Sequence, residues 1–185
     1  MKNNTATTYI ALLRGINVSG KNMIKMPALA GAFEELSFAH VRTYVQSGNV
    51  IFEAAAEKEE TLQQRIQEQI SRDFKADVPV LVLRADSLVH LRNGNPFLED
   101  ERTDLSKLHI TFLSHEPDAE MISKIETDKY LPDTFVIQKQ CIYLYCPGGY
   151  GKTKLTNNFF ESKLKQIATT RNWNTVNKLI EMAAS

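Results

Sequence analysis

Val41-Arg42-Thr43-Tyr44-Val45-Gln46-Ser47-Gly48-Asn49-Val50-Ile51-Phe52 is the segment from which the fold class follows. Val41 to Gln46 and Val50 to Phe52 are rich in β-branched and aromatic residues. Ser47-Gly48-Asn49 between them supplies a tight turn, so the stretch reads as a β-hairpin. Upstream, Tyr9-Ile10-Ala11-Leu12-Leu13 is a short apolar run that reads as a central strand. Met26, Leu29, Ala30, Phe33 and Leu36 then follow at helical spacing, with Pro27 suited to a first helical turn. Downstream, Leu62, Ile66, Ile70 and Phe74 mark a second amphipathic helix, and Val78 to Leu83 another strand. The order is strand, helix, strand, strand, helix, strand, which is that of a ferredoxin-like split βαβ unit.

The hairpin has an echo. Thr134-Phe135-Val136-Ile137-Gln138 resembles Thr43-Tyr44-Val45-Gln46, and each is followed by a turn and a second strand, here Ile142 to Tyr145. Leu108 to Leu113 reads as the strand that opens this second half. A helix is expected to begin near Asp118, a second to carry Leu155, Phe159, Phe160 and Leu164, and a last one to carry Trp173, Val176, Ile180 and Ala183, capped by Asn172. The expected architecture is α+β, with two tandem ferredoxin-like plaits, the second ending in an extra helix instead of a last strand. Residues 1–85 form the first plait, 86–106 a connecting helix and loop, and 107–185 the second half. One continuous mixed sheet is the alternative.

Charge is balanced but uneven. Lysines and arginines number 22 and acids 22, yet the first acid is Glu34, and residues 86–133 hold eleven acids against five bases. Residues 148–185 hold six bases against two acids. Either the ends and the middle attract each other in the fold, or one face is electropositive toward a ligand. No apolar run approaches the roughly 20 residues of a membrane span, so no membrane partner is expected. The polar start Met1-Lys2-Asn3-Asn4-Thr5 does not read as a secretory signal, and the protein is read as cytoplasmic. Cys141 and Cys146 stand an odd number of residues apart, so their side chains fall on opposite faces of a strand and should not bridge. The four histidines have no helical i, i+4 partner, and neither metal nor other cofactor is expected.

Three polar clusters are candidate binding motifs. The first, Arg14-Gly15-Ile16-Asn17-Val18-Ser19-Gly20-Lys21-Asn22, has two glycines, two cations and no acid. It departs from a P-loop at two points. Asn22 stands where Ser or Thr should hold magnesium, and Pro27 starts the helix too late to meet a phosphate. Because the first two strands of such a plait run parallel, this loop and the turn Gln46 to Asn49 should be neighbours. The second cluster is Gly148-Gly149-Tyr150-Gly151-Lys152-Thr153, where Cys146 stands in place of the glycine that a P-loop needs. A glycine loop leading into a helix still offers free amides, and Lys152 and Lys154 add charge. The third is Ala168-Thr169-Thr170-Arg171-Asn172-Trp173-Asn174-Thr175, in which Arg171 can bind phosphate.

The stretches Tyr9 to Asn22, Arg42 to Val50, Gly151 to Leu155 and Ala168 to Val176 with Lys178-Leu179 resemble the bacterial family called domain of unknown function 1697. Ser19 departs from the glycine usual there. The resemblance implies a cytoplasmic protein of ferredoxin-like plaits and carries no established activity.

The residues expected to bind are Arg14, Lys21, Lys152 and Arg171 for phosphate charge, and Asn17, Asn22, Ser47, Asn49 and Asn172 for directional hydrogen bonds. Three functions are open at this point. The leading one is binding of a phosphate-bearing ligand, either a nucleotide-like small molecule or nucleic acid. The others are a metal-independent enzyme on a phosphorylated substrate, and an interaction module whose polar motifs hold the fold together. Zero net charge counts against nucleic acid.

Overall fold

The computed structural model describes residues 6–18 and 20–185; the polar start Met1 to Thr5 and Ser19 of the opening loop lie outside the described residues. The chain divides into two compact units, one running to Val89 and taking in Leu179–Ser185, the other His90–Lys178. Each has its own four-stranded sheet, which removes the single continuous sheet. The architecture is α+β, two ferredoxin-like plaits closed by a helix.

The first plait runs β1 (Ala6–Leu13), α1 (Met26–Glu35), β2 (Ala39–Tyr44), β3 (Asn49–Ala55), α2 (Glu59–Phe74) and β4 (Val80–Arg84), and α3 (Ala85–Asn93) follows it. Its sheet order is β2-β3-β1-β4. Every neighbouring pair is antiparallel, so β1 and β2 run parallel and end at the same edge of the plait. Pro27 sits in the first turn of α1, where its missing N–H is no loss. Leu62, Ile66, Gln69 and Ile70 form the buried stripe of α2 at i, i+4, i+7 and i+8. These helices cover Tyr9, Ala11, Leu13, Val50, Phe52, Val80 and Val82. The Phe38 and Phe52 rings stack at 4.5 Å, and Phe33 meets Phe52 edge-on at 5.4 Å. Burying each such ring contributes about 1.5–3 kcal/mol.

The second plait runs β5 (Leu108–Leu113), α4 (Ala119–Ser123), β6 (Thr134–Gln138), β7 (Cys141–Tyr145), α5 (Asn157–Leu164) and β8 (Ala168–Asn172), and α6 (Trp173–Ala184) follows. The sheet order β6-β7-β5-β8 repeats that of the first plait position for position. Asp118 caps α4 by accepting from Glu120 N at 2.8 Å, and Asn172 caps α6 by accepting from Thr175 N at 2.8 Å.

Two expectations need correction. The closing helix does not replace a last strand; it follows one. The polar run Ala168-Thr169-Thr170-Arg171-Asn172 pairs with β5 from Leu113↔Ala168 to His109↔Asn172. Its sequence has no apolar alternation, so only the partner strand makes it a strand. The glycine loop also does not lead directly into a helix. A 3-10 turn, Tyr150–Lys152, intervenes, and α5 begins at Asn157 with Thr156 as its cap. The helix dipole is therefore not aimed at the loop's amides.

The repeat also exposes a difference between the halves. In the first plait Tyr9, Ala11 and Leu13 pair with Arg84, Val82 and Val80. The equivalent pairs in the second are His109–Asn172, Thr111–Thr170 and Leu113–Ala168. The polar Thr111–Thr170 pair thus stands where the first plait has the apolar Ala11–Val82 pair. Thr111 and Thr170 share a hydrogen bond of 2.7 Å, and Thr170 Oγ1 donates to Asn157 Oδ1 at 2.6 Å.

Candidate functional site

The opening loop and the β2–β3 turn are neighbours. Leu13 N donates to the Gly48 carbonyl and Arg14 N to the Pro79 carbonyl, each at 2.8 Å. Asn17 organises the loop from a left-handed backbone, φ +54°. Its Nδ2 donates to the carbonyls of Ile24 and Gln46, both at 2.9 Å, and its Oδ1 accepts from Ile24 N at 2.8 Å. Ile16 and Ile24 are buried and anchor the two stems. Asn49 is fully buried, and its Nδ2 donates to the Tyr44 carbonyl at 2.9 Å and to Ser47 Oγ at 3.1 Å. Asn22, with φ +46°, makes a longer contact from Nδ2 to the Gly15 carbonyl, 3.4 Å. Asn17 and Asn49 therefore serve the loop itself, while Lys21 and Asn22 lie exposed at its tip.

In the second plait, Lys152 lies in a different setting. Thr153 and Leu155 are buried while Lys152 and Lys154 are exposed, the alternation of an extended segment. The segment is held at its start by Tyr150, whose ring stacks on His109 at 4.7 Å. Thr153 Oγ1 accepts from Leu155 N at 3.1 Å and fixes the bend before α5. Lys152 and Lys154 line a cavity of about 210 Å³ with Lys129, Tyr130, Leu131, Pro132 and Asp133. Lys129 Nζ pairs with Glu126 Oε1 at 2.7 Å. Among the described residues neither Lys152 nor Lys154 has a carboxylate within ion-pair distance, so their ammonium groups are open to an anion. Tyr130 is set in the wall by edge contacts to Phe159 at 5.0 Å and Phe135 at 6.4 Å.

Arg171 lies on β8 and is 93% buried, with its Nη1 donating to Thr169 Oγ1 and to the Thr170 carbonyl, both at 2.9 Å. Trp173 is buried and receives Arg92 over its ring at 6.0 Å. His109 Nδ1 bonds the Lys107 carbonyl at 3.2 Å, and burial pushes its imidazole below the ordinary histidine range. Burial raises both thiols, Cys141 and Cys146, to about 11. Among the described residues no group of three His, Cys, Asp or Glu side chains is placed to hold a metal ion. Among the same residues no helix is long and apolar enough to cross a membrane.

Residues 6–143 match the family described as protein of unknown function (DUF1697). The chain belongs to this family. No curated protein matches it. This DUF1697 chain is similar to the solved structure of conserved bacterial protein SP0830 from Streptococcus pneumoniae, with 22% identity and a TM-score of 0.72. The likeness covers 97% of this chain and 99% of that one. At that identity it shows the fold alone.

The structure gathers Arg14, Asn17, Lys21, Asn22, Ser47 and Asn49 at one end of the first plait. It places Lys152, Arg171 and Asn172 in the second, with Asn172 used as a helix cap. Sequence reasoning missed the partners of Lys152. Lys129, Tyr130 and Asp133 lie at the end of the acid-rich segment 86–133, and no spacing ties them to the lysines at 152 and 154. The DUF1697 match ends before Lys152, so the pocket draws one wall from inside the matched segment and the other from beyond it.

Proposed function

We propose that this protein binds a small phosphate-bearing ligand in the cytoplasm, and that the cavity bounded by Lys129, Lys152 and Lys154 is where it binds. The observation that carries this reading is that Lys152 and Lys154, with no carboxylate in ion-pair distance among the described residues, line one concavity together with Asp133 and with Lys129, whose ammonium is paired with Glu126. Each charge-assisted hydrogen bond to a phosphate oxygen contributes about 1.5–3 kcal/mol. Size narrows the ligand. A cavity of about 210 Å³ is below the roughly 300–1,000 Å³ that takes a drug-sized molecule. It suits a phosphate with a few attached atoms, with any larger part of a nucleotide left in solvent. The buried free thiols accord with a reducing compartment.

A titration of inorganic phosphate and of glycerol phosphate, followed by calorimetry, tests the reading. Saturable binding is expected, weakened by salt, and reduced about tenfold or more by Lys152→Ala with Lys154→Ala. Absence of binding to either probe, or binding unchanged in the double variant, would sink it. The interaction-module reading is favoured by a separate observation: Asn17, Asn49 and Asn172 each spend their amides on the chain's own backbone.

A further inference from the structure

The first plait is electrically polar along its strands. At the edge where β1 and β2 end, α1 and β4 begin and α2 ends, the chain carries Arg14, Lys21, Lys25, Arg72 and Lys75. Among the described residues Asp73 and Asp77 oppose them there, with Glu35 joined to Asp73 through the Gln69 amide. The opposite edge gathers Glu34, Glu57, Glu59, Glu60 and Asp86 against Lys58 and Arg84. The basic edge also bears exposed aliphatic side chains: Met23 is 71% exposed, Val18 57% and Val45 47%. Val18 and Met23 lie on the loop after β1 and Val45 in the turn after β2, and the bond from Asn17 to the Gln46 carbonyl joins that loop to that turn.

The tip is built to be held out. Ile16 and Ile24 are buried at its stems, so Val18 and Met23 are turned outward between them. Val18 and Lys21 bridge across the tip, and Asn17 N donates to the Asn22 carbonyl at 3.2 Å, so these backbone groups are paired within the loop. A side chain added at Gly15 or Gly20 would meet nothing within 4 Å.

We propose that this edge of the first plait docks on a bilayer surface containing anionic lipid, with Val18, Met23 and Val45 entering the headgroup layer and Lys21 and Lys25 meeting the lipid phosphates. A loop with exposed aliphatic side chains flanked by cations fits that surface, and no spanning segment is needed. Nucleic acid would be met by stacking aromatic rings, whereas the exposed apolar groups on this tip are aliphatic. The acidic far edge is repelled by the same surface, so the dipole sets the orientation. This docking does not depend on the lysine pocket of the second plait.

Co-sedimentation of the full chain with vesicles tests it. Binding is expected to vesicles of phosphatidylcholine with phosphatidylserine, to fall with added salt, and to be absent from phosphatidylcholine alone. Lys21→Ala should weaken binding about fivefold, since each cation near an anionic surface contributes on the order of 1 kcal/mol. Met23→Asp should weaken it about tenfold or more, with an unchanged melting temperature because the side chain is exposed. Glu59→Ala on the far edge, and Lys152→Ala with Lys154→Ala, should bind as the parent does. Equal binding to both vesicle types, no binding at low salt, or full binding by Met23→Asp overturns the proposal. So does retention on single-stranded RNA without retention on vesicles, and so does loss of vesicle binding in the pocket variant.

Discussion

Asn17 and Gln46, 29 residues apart, are joined directly: the Asn17 amide donates to the Gln46 carbonyl at 2.9 Å. Through that bond the loop after β1 and the turn after β2 become one surface. Asn17→Ala removes this bond and two more to Ile24. At about 1 kcal/mol each, discounted for partial exposure, the loss is about 2 kcal/mol. For a chain of this size that lowers the melting temperature by about 4–8 °C. Calorimetry checks it, and an unchanged transition would show that the loop is held by other means.

Gly48 is a second support of the same surface, and its requirement is steric. A Cβ there would lie 2.7 Å from Leu13 Cβ and 2.8 Å from Ile16 Cδ1, at φ +76°. Gly48→Ala should cost about 3 kcal/mol, combining backbone strain with overpacking. Gly15→Ala, at φ +74° but with open space around it, should cost only about 1 kcal/mol. Urea unfolding of the two variants measures the difference, and equal losses would contradict the packing argument.

His109 gives the stability a pH dependence. Its buried imidazole is held neutral in the fold, with its titration below that of the unfolded chain. The unfolded state therefore takes up the proton first as pH falls, so stability is full above about pH 6.5 and declines below it. His109→Gln should flatten that decline. Thermal unfolding at a series of pH values reads the effect, and an unaltered slope would remove His109 from it.

Arg171 should behave as a residue of the fold. Its guanidinium is buried and bonded to Thr169 and Thr170. Arg171→Ala should cost about 3 kcal/mol, and Arg171→Lys should not restore it, because an ammonium lacks the planar fork of donors. Phosphate affinity at the lysine pocket should be unchanged in any variant that folds. A selective loss of phosphate binding with full stability would return Arg171 to the ligand.

The chain's local chemistry fixed the order of its elements. Period-two and helical spacing, the Ser47-Gly48 turn and the caps at Asp118 and Asn172 are short-range features, and each operates within a few residues. The parallel course of β1 and β2 then follows from topology, which is why the loop at Arg14 and the turn at Ser47 were legible as neighbours.

Features that depend on partners far along the chain arise only when the chain is folded. Ala168 to Asn172 becomes a strand because β5 offers it a ladder, not because of any pattern of its own. Asn17 and Asn49 read as donors to a ligand, yet buried or loop-bound amides are first claimed by nearby carbonyls, since an unpaired polar group is costly. Lys129 and Lys152 meet around one cavity because the fold brings together segments whose sequences say nothing of each other. The hairpin at Val41 to Phe52 was legible because its determinants are local; the lysine pocket was not, because convergence in space leaves no trace in spacing.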